Sequence, residues 1–304
     1  MVNIRKNVRN LTNFEKQCFI QAVKGLKTKI SPITGRSIYD EYVLWHINAT
    51  QRSDPSDSRG LRNTAHGGPA FFAWHRYYLF RFEKQLQKVV PGVTIPYWDW
   101  TQDTKDPLNS PIWAADFMGG TGDPLENNVV KTGPFAVGQW VTINMNGRPK
   151  GGLQRRLGQS TSAPNLPTQT DVNISLGEIP YDKAPWNAGS SPSYRNRAEG
   201  YLNAEGVFGR RQLHNQVHSW IGGDMSSPHI SPNDPVFFVH HANVDRLWAI
   251  WQAKNPTQHY VPTGEGPSGH NLYDLMYPWD GTTTSLTARP VDVLNLSKLG
   301  CTYV

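Results

Sequence analysis

The chain has 304 residues, 38% hydrophobic and 18% charged, the balance of a globular protein with room for one large domain or two ordinary ones. Its net charge is +6, but the basic residues are scattered. Arg155–Arg156 and Arg210–Arg211 are the tightest clusters, and no recognition helix, zinc finger or RNA-binding signature accompanies them, which argues against a nucleic-acid partner.

In chain order, "TNFE" at 12–15 pairs Thr12 with Glu15 as a capping box. Phe14, Cys18, Phe19, Ala22, Val23 and Leu26 then recur at helical spacing and predict an amphipathic helix over 13–29. The two cysteines, Cys18 and Cys301, are too few for a disulfide framework and leave thiolate metal ligation aside. A second helix is predicted over 38–47, with Tyr39, Tyr42, Val43 and His46 on one face. "HGGPAFFAWHRYYLFRFEKQLQKV" reads as a loop entering a long helix, with Pro69 in the first turn. Phe72, His75, Leu79, Phe82 and Leu86 form its apolar face, and Arg76, Arg81, Lys84 and Lys88 are expected outward. "PYWDW" at 96–100 ends this half.

Residues 101–195 are rich in Gly, Pro, Asn, Asp and Ser. They predict loops, a short hairpin near 139–156 and little helix. Helical character returns near 193–202 and 211–221. "SPNDPVFFVHHANVDRLWAIWQ" is a strong helix start, with Asn233 or Asp234 as cap and Pro235 in the first turn. That helix runs to about 253 and is apolar nearly all round, the mark of a helix buried in a core. The tail, 254–304, reads as loops with a short strand. The expectation is a mainly α fold of one domain over 1–304: a four-helix-bundle core, wrapped by long loops with a few short strands. No apolar leader follows "MVNIRKNVRN" and no apolar run reaches 18 residues, so neither a signal peptide nor a membrane span is expected. Residence in the cytoplasm, or export by a route the sequence does not reveal, is the matching expectation.

Ten histidines carry the chemistry. His46 and His75 lie on apolar faces of predicted helices, and His240 and His241 on the buried one. "HNQVH" at 214–218 puts two imidazoles on one helix face, but Asn215 stands where the zinc-protease HExxH needs its glutamate. An unpaired buried polar group costs about 1–3 kcal/mol, and a metal supplies partners for many imidazoles at once. Imidazole suits zinc, copper, iron and nickel. No carboxylate base stands in the pair for catalytic zinc, and no Glu-x-x-His motif marks a di-iron bundle. Copper pairs, each held by three neutral imidazoles, fit the donor type best. The residues themselves leave His240 and His241 equivalent. His259 and His270 read as loop surface. Asp245, four residues after His241, reads either as a carboxylate orienting a ring N–H or as half of an ion pair with an arginine.

His46, His66 and His75, with His214, His218 and His241, resemble the two copper-binding signatures of type 3 copper proteins. "GPAFFAWHRYYLFRFE" and "SPNDPVFFVHHANVDRLWAIWQ" are similar to the family's two helical words, with "PYWDW" between them. The resemblance runs from "RKNV" to "LGCTYV" and is strongest to the short bacterial tyrosinases. It implies that His46, His66 and His75 hold one copper ion and His214, His218 and His241 a second, with His240 ordering the ligands around it and O2 as co-substrate. It further implies that Asn215 and Glu199, in "YRNRAEG", hold a water as general base, and that Met225, Ser227, His229 and Phe237 form the substrate pocket. The implied reaction is ortho-hydroxylation of monophenols and oxidation of o-diphenols to o-quinones.

A catechol or o-aminophenol oxidase, a haemocyanin-type oxygen carrier and a structural zinc site are the alternatives. A copper-delivery partner and a homodimer are compatible with the resemblance. Three departures stand out. "YLNAEGVFGRRQL" is longer than in the bacterial tyrosinases, which sets a displaced Glu199, or Glu205 in its place, as the alternative to the expected Asn215–Glu199 pair. Ser227 falls where the family has a small apolar gate. Thr64 stands where fungal and plant relatives carry a thioether cysteine, and no shielding domain is expected after Val304.

Overall fold

The structure, a computed structural model, describes residues 2–209 and 211–304; Arg210, half of one basic cluster, lies outside the described residues. Helix α1 (Asn13–Thr28) starts at the expected capping box: Thr12 Oγ1 accepts the Glu15 N–H while the Glu15 carboxylate accepts the Thr12 N–H. Helix α2 (Ile38–Gln51) extends a turn beyond the sequence expectation because Ile47, Ala49 and Thr50 stay buried. Helix α3 (Phe71–Gln87) begins at Ala70, which leaves Pro69 just ahead of the cap instead of in the first turn. Residues 101–195 are mostly loop and contain the expected hairpin, with 142–143 paired to 149–151. They also hold α4 (Gln169–Leu176), which begins at a Thr168–Asp171 capping box. That helix escaped notice because its few apolar residues show no clear helical stripe.

Helix α5 (Tyr194–Glu199) ends at Gly200, whose φ is +108°. A Cβ there would meet Gln212 O at 2.1 Å, so only glycine lets the chain leave Glu199 and return to α6 (Leu213–Ile221). Helix α7 (Val236–Lys254) is buried along most of its length, as its all-round apolarity predicts. Asp234 Oδ1 accepts the Val236 N–H at 3.0 Å, while Pro235 occupies the cap position itself.

The fold is mainly α, with a core of α2, α3, α6 and α7. Phe82 of α3 stacks on Phe238 of α7, and Tyr39 of α2 meets both rings edge-on. Tyr78 Oη donates to the Tyr42 carbonyl at 2.7 Å, tying α3 to α2. Residues 3–5 and 301–303 pair as parallel strands and join the two ends of the chain. Among the described residues no helix is long and apolar enough to cross a membrane.

One helix-face expectation is corrected. Lys84 and Lys88 are exposed, but Arg76 is buried. Its guanidinium pairs with Asp245, lies over the Trp248 ring and donates to the Val293 and Leu294 carbonyls. Arg76 shares the inward edge of α3 with its apolar neighbours, and a charge survives there only because the carboxylate and carbonyls surround it.

Candidate metal centre

Two groups of imidazoles meet in the bundle. His46 from α2, His66 from the loop before α3, and His75 from α3 form one; His214 and His218 from α6, with His240 and His241 from α7, form the other. Within each group the candidate ligand atoms lie within 4.8 Å of one another. The groups abut: the His75 and His241 rings stack with centroids 4.4 Å apart.

Most of the rings are oriented by the backbone. His46 Nδ1 faces the His229 carbonyl at 3.2 Å, His75 Nδ1 the Phe71 carbonyl at 2.8 Å and His218 Nδ1 the Met225 carbonyl at 2.8 Å. His214 Nδ1 faces both the Glu199 carbonyl at 3.1 Å and Asn215 Oδ1 at 3.0 Å. A carbonyl only accepts, so each of these Nδ1 atoms carries the hydrogen and each Nε2 presents a lone pair. His241 Nε2 lies 3.2 Å from both His214 Nε2 and His218 Nε2, a convergence of three nitrogens on one point.

His240 is different. The Trp100 indole N–H, a donor only, points at His240 Nδ1 at 3.2 Å. The hydrogen of His240 therefore sits on Nε2, which has no lone pair for a metal. This separates the two neighbours that the sequence left equivalent, and it gives "PYWDW" a part in the site. Trp98 N–H donates to the Val239 carbonyl, and Trp100 fixes the ring one residue on.

Fit to a metal can be judged from the polar atoms left over. His46 Nε2 and His75 Nε2 are buried without a hydrogen-bond partner, as ligand atoms would be; His66 Nδ1, His240 Nε2 and His241 Nδ1 are unpartnered too and do not mark ligand atoms. Burial pushes the imidazole pKa values down, to about 3 for His46 and about 4 for His218, and well below the ordinary range for His66, His75, His214 and His241. The donor set is thus neutral imidazole at any ordinary pH, which fits copper or zinc and not calcium or magnesium. Phe237 lies beneath both groups, stacked 4.0 Å from His241 and edge-on to His46 at 5.1 Å. It belongs to the closed floor and is not among the residues that line the open side.

That open side is a cavity of about 480 Å³ reaching His66, His214 and His218. Met225, Ser226, Pro228 and His229 line it, together with Tyr201, Phe208 and Arg211. Ser227, the expected gate, does not line it; its neighbours Ser226 and Pro228 do. His229 stands at the rim with Nδ1 2.8 Å from Thr50 Oγ1.

Glu199 is fully buried where the resemblance put it, despite the longer segment that follows. Its Oε1 accepts the Gly67 N–H at 2.7 Å, next to His66, and its Oε2 accepts from Arg195 at 3.0 Å. Burial raises its pKa to about 7 against the lowering pull of Arg195 and Gly67. Glu205 is exposed and takes no part.

Of the two readings of Asp245 the ion pair is the one found: its oxygens face Arg76, Arg5 and Tyr303 Oη, and none orients a histidine. One further expectation is corrected. His259 is exposed as expected, but His270 is buried, and its Nδ1 accepts the Ala70 N–H at 3.1 Å. With Tyr181 Oη donating to the Pro69 carbonyl at 2.6 Å, His270 clamps the loop between His66 and α3. Sequence reasoning also missed Trp100, Tyr201, Phe208 and Arg211. Their roles depend on which distant loops meet, and no local pattern marks that.

Residues 36–254 match the family model of the common central domain of tyrosinase. A tyrosinase of Streptomyces antibioticus is 42% identical over 285 residues, 93% of this chain and 94% of that one. Grixazone synthase of Streptomyces griseus is 38% identical over 98% of both chains. Among solved structures, a polyphenol oxidase of Thermothelomyces thermophila superposes with a TM-score of 0.72 at 24% identity, over 99% of this chain and 88% of that one. A functional unit of octopus hemocyanin gives 0.63 at 22% identity, over 99% and 67%. At those identities the two structures speak for the fold alone.

Proposed function

The chain belongs to the tyrosinase family and is a tyrosinase-like polyphenol oxidase; we propose that it holds two copper ions and uses O2 to hydroxylate monophenols and oxidise o-diphenols to o-quinones. In this reading His46, His66 and His75 hold one ion and His214, His218 and His241 the other. Bound copper supplies the redox chemistry with O2. The observation that carries the reading is the open cavity of about 480 Å³ ending on imidazoles from both groups, which gives a small aromatic substrate a way in. An oxygen carrier has no use for such access. Residues 1–304 are taken as one catalytic domain, a view supported by the pairing of 3–5 with 301–303.

The protein's own residues divide the remaining work. The backbone carbonyls that accept from Nδ1 hold the rings in the ligating tautomer. Phe237 and the aromatic floor exclude water from beneath. A phenol, pKa about 10, must lose a proton before it binds a metal well. Glu199 retains a lone pair on each oxygen beyond its bonds to Gly67 and Arg195, and with Asn215 it is assigned to a water that accepts this proton. The substrates are small phenols and catechols. A copper-delivery partner and a homodimer remain compatible with this assignment.

A second reading, a catechol or o-aminophenol oxidase, is favoured by one observation: Asn215 Oδ1 faces His214 Nδ1, which competes with holding a water. Oxygen uptake by copper-loaded protein on tyrosine and on a catechol separates the two. Quinone from both supports the tyrosinase reading, quinone from the catechol alone supports the second, and uptake on neither refutes both.

A further inference from the structure

Gly200, Tyr201, Phe208, Gly209 and Arg211, from the stretch between Glu199 and His214, form one wall of the cavity. Leu202 and Phe208 pair in an isolated antiparallel bridge. The turn between them closes through Asn203 N–H to the Val207 carbonyl at 3.0 Å and Gly206 N–H to the Asn203 carbonyl at 2.9 Å. The Arg197 guanidinium grips the Asn203 and Ala204 carbonyls, and Ser191 Oγ donates to the Gly206 carbonyl at 2.9 Å. The turn is therefore an ordered wall. It sets the Phe208 ring nearly parallel to Tyr201, centroids 6.4 Å apart at 11°, and both residues line the cavity.

The charge of this cavity is one-sided. Among the described residues no aspartate or glutamate lines it. Arg62 does, but its Nε is paired with Asp54 at 2.9 Å. Arg211 also lines it, is exposed, and among the described residues has no carboxylate within ion-pair distance. Its side chain donates to Ser219 Oγ, which leaves most of its five donors free. Glu205 is exposed on the same turn but does not line the cavity. A guanidinium with free donors recognises a carboxylate in a planar fork; Phe208 lines the same cavity, and its ring already carries the Arg59 guanidinium, 4.3 Å from its centroid.

We propose that Arg211 is a specificity-determining residue that selects phenols and catechols bearing a carboxylate on the ring substituent. This rests on the phenol-oxidase reading and adds the charge of the substrate. The test uses copper-loaded full-length protein with 3-(4-hydroxyphenyl)propionate and its primary amide, which differ in charge and little in shape. The parent prefers the acid. R211Q lowers the acid-to-amide ratio of kcat/KM about threefold to fivefold, mainly through KM, the range of an exposed ion pair, and R211E lowers it further. Raising salt to about 0.5 M lowers the ratio in the parent and not in R211Q. A ratio equal in parent and R211Q, or insensitive to salt in the parent, overturns the proposal alone. Absence of oxidation of the neutral 4-methylcatechol by the parent overturns the phenol-oxidase reading, and this inference with it.

Discussion

Replacing His240 and His241 one at a time separates two neighbours that share a helix, full burial and a lowered pKa. H241N removes the nitrogen that lies 3.2 Å from His214 Nε2 and His218 Nε2. On the proposed two-copper assignment, copper content then falls from about two ions per chain toward one, since a two-imidazole site holds copper far more weakly than three. H240F removes no ligand. It leaves the buried Trp100 N–H without its acceptor, which costs about 1–3 kcal/mol. For a chain of this size that lowers Tm by roughly 2–6 °C. The double variant W100F/H240F removes donor and acceptor together, so it is less destabilised than the sum of W100F and H240F. Metal analysis after dialysis gives the copper count, and thermal melts of the copper-free proteins give the stabilities. An H240F protein that loses one copper, or an H241N protein that keeps two, refutes the tautomer argument.

Three other outcomes follow from the same structure. D245N strips the charge that faces Arg76 and Arg5 and destabilises by about 3–5 kcal/mol, the range for breaking a buried pair, with copper content retained; urea unfolding and metal analysis check both halves. E199Q cannot hold a basic water, so monophenol kcat/KM falls by about 100-fold and diphenol turnover by much less; equal losses on both would assign Glu199 to holding the Gly67 loop only. His270 has a pKa of about 3 when folded against about 6.5 unfolded. The unfolded chain takes the proton first, so the stability tied to neutral His270 is whole above pH 6.5. It is lost at up to about 1.4 kcal/mol per pH unit as pH falls toward 3. H270Q stability therefore falls less steeply than the parent's between pH 6.5 and 5, and parallel curves by urea unfolding would exclude the effect.

The helices were legible because each announces itself locally: Thr12 and Glu15 bracket a first turn, and the apolar run after Pro235 needs no partner to be recognised as buried. The six histidines were legible because their flanking words resemble a family. What the sequence hid has one physical character, the identity of a partner far along the chain. Arg76 looked like a surface charge because its carboxylate lies at Asp245, and Asp245 stayed open between a histidine's partner and an arginine's because Arg5 and Arg76 come from elsewhere. His270 looked like loop surface because the N–H it accepts belongs to Ala70. Ser227 was placed at the gate by counting along a loop, and the turn of that loop brings its neighbours to the cavity instead.

The same long-range partners explain how a dense cluster of imidazoles is tolerated before any metal arrives. Burial disfavours imidazolium, so the rings are neutral and do not repel one another as cations. A neutral imidazole still has one N–H to satisfy. For His46, His75, His214 and His218 a backbone carbonyl accepts it. Two of those carbonyls belong to His229 and Met225, in the loop that also lines the cavity. That loop therefore serves as wall and as orienting shell at once. A substitution that shifts its backbone disturbs a ring of each imidazole group together with the substrate's approach, whereas one confined to an outward side chain, such as Ser226, alters the approach alone. Comparing a backbone-perturbing S227P with S226A, copper retention against kcat/KM, distinguishes the two. S227P removes the N–H that bonds the Asp224 carbonyl and lowers both quantities, and S226A moves only kcat/KM. Equal copper loss in the two variants would mean that the loop's side chains, and not its carbonyls, hold the rings.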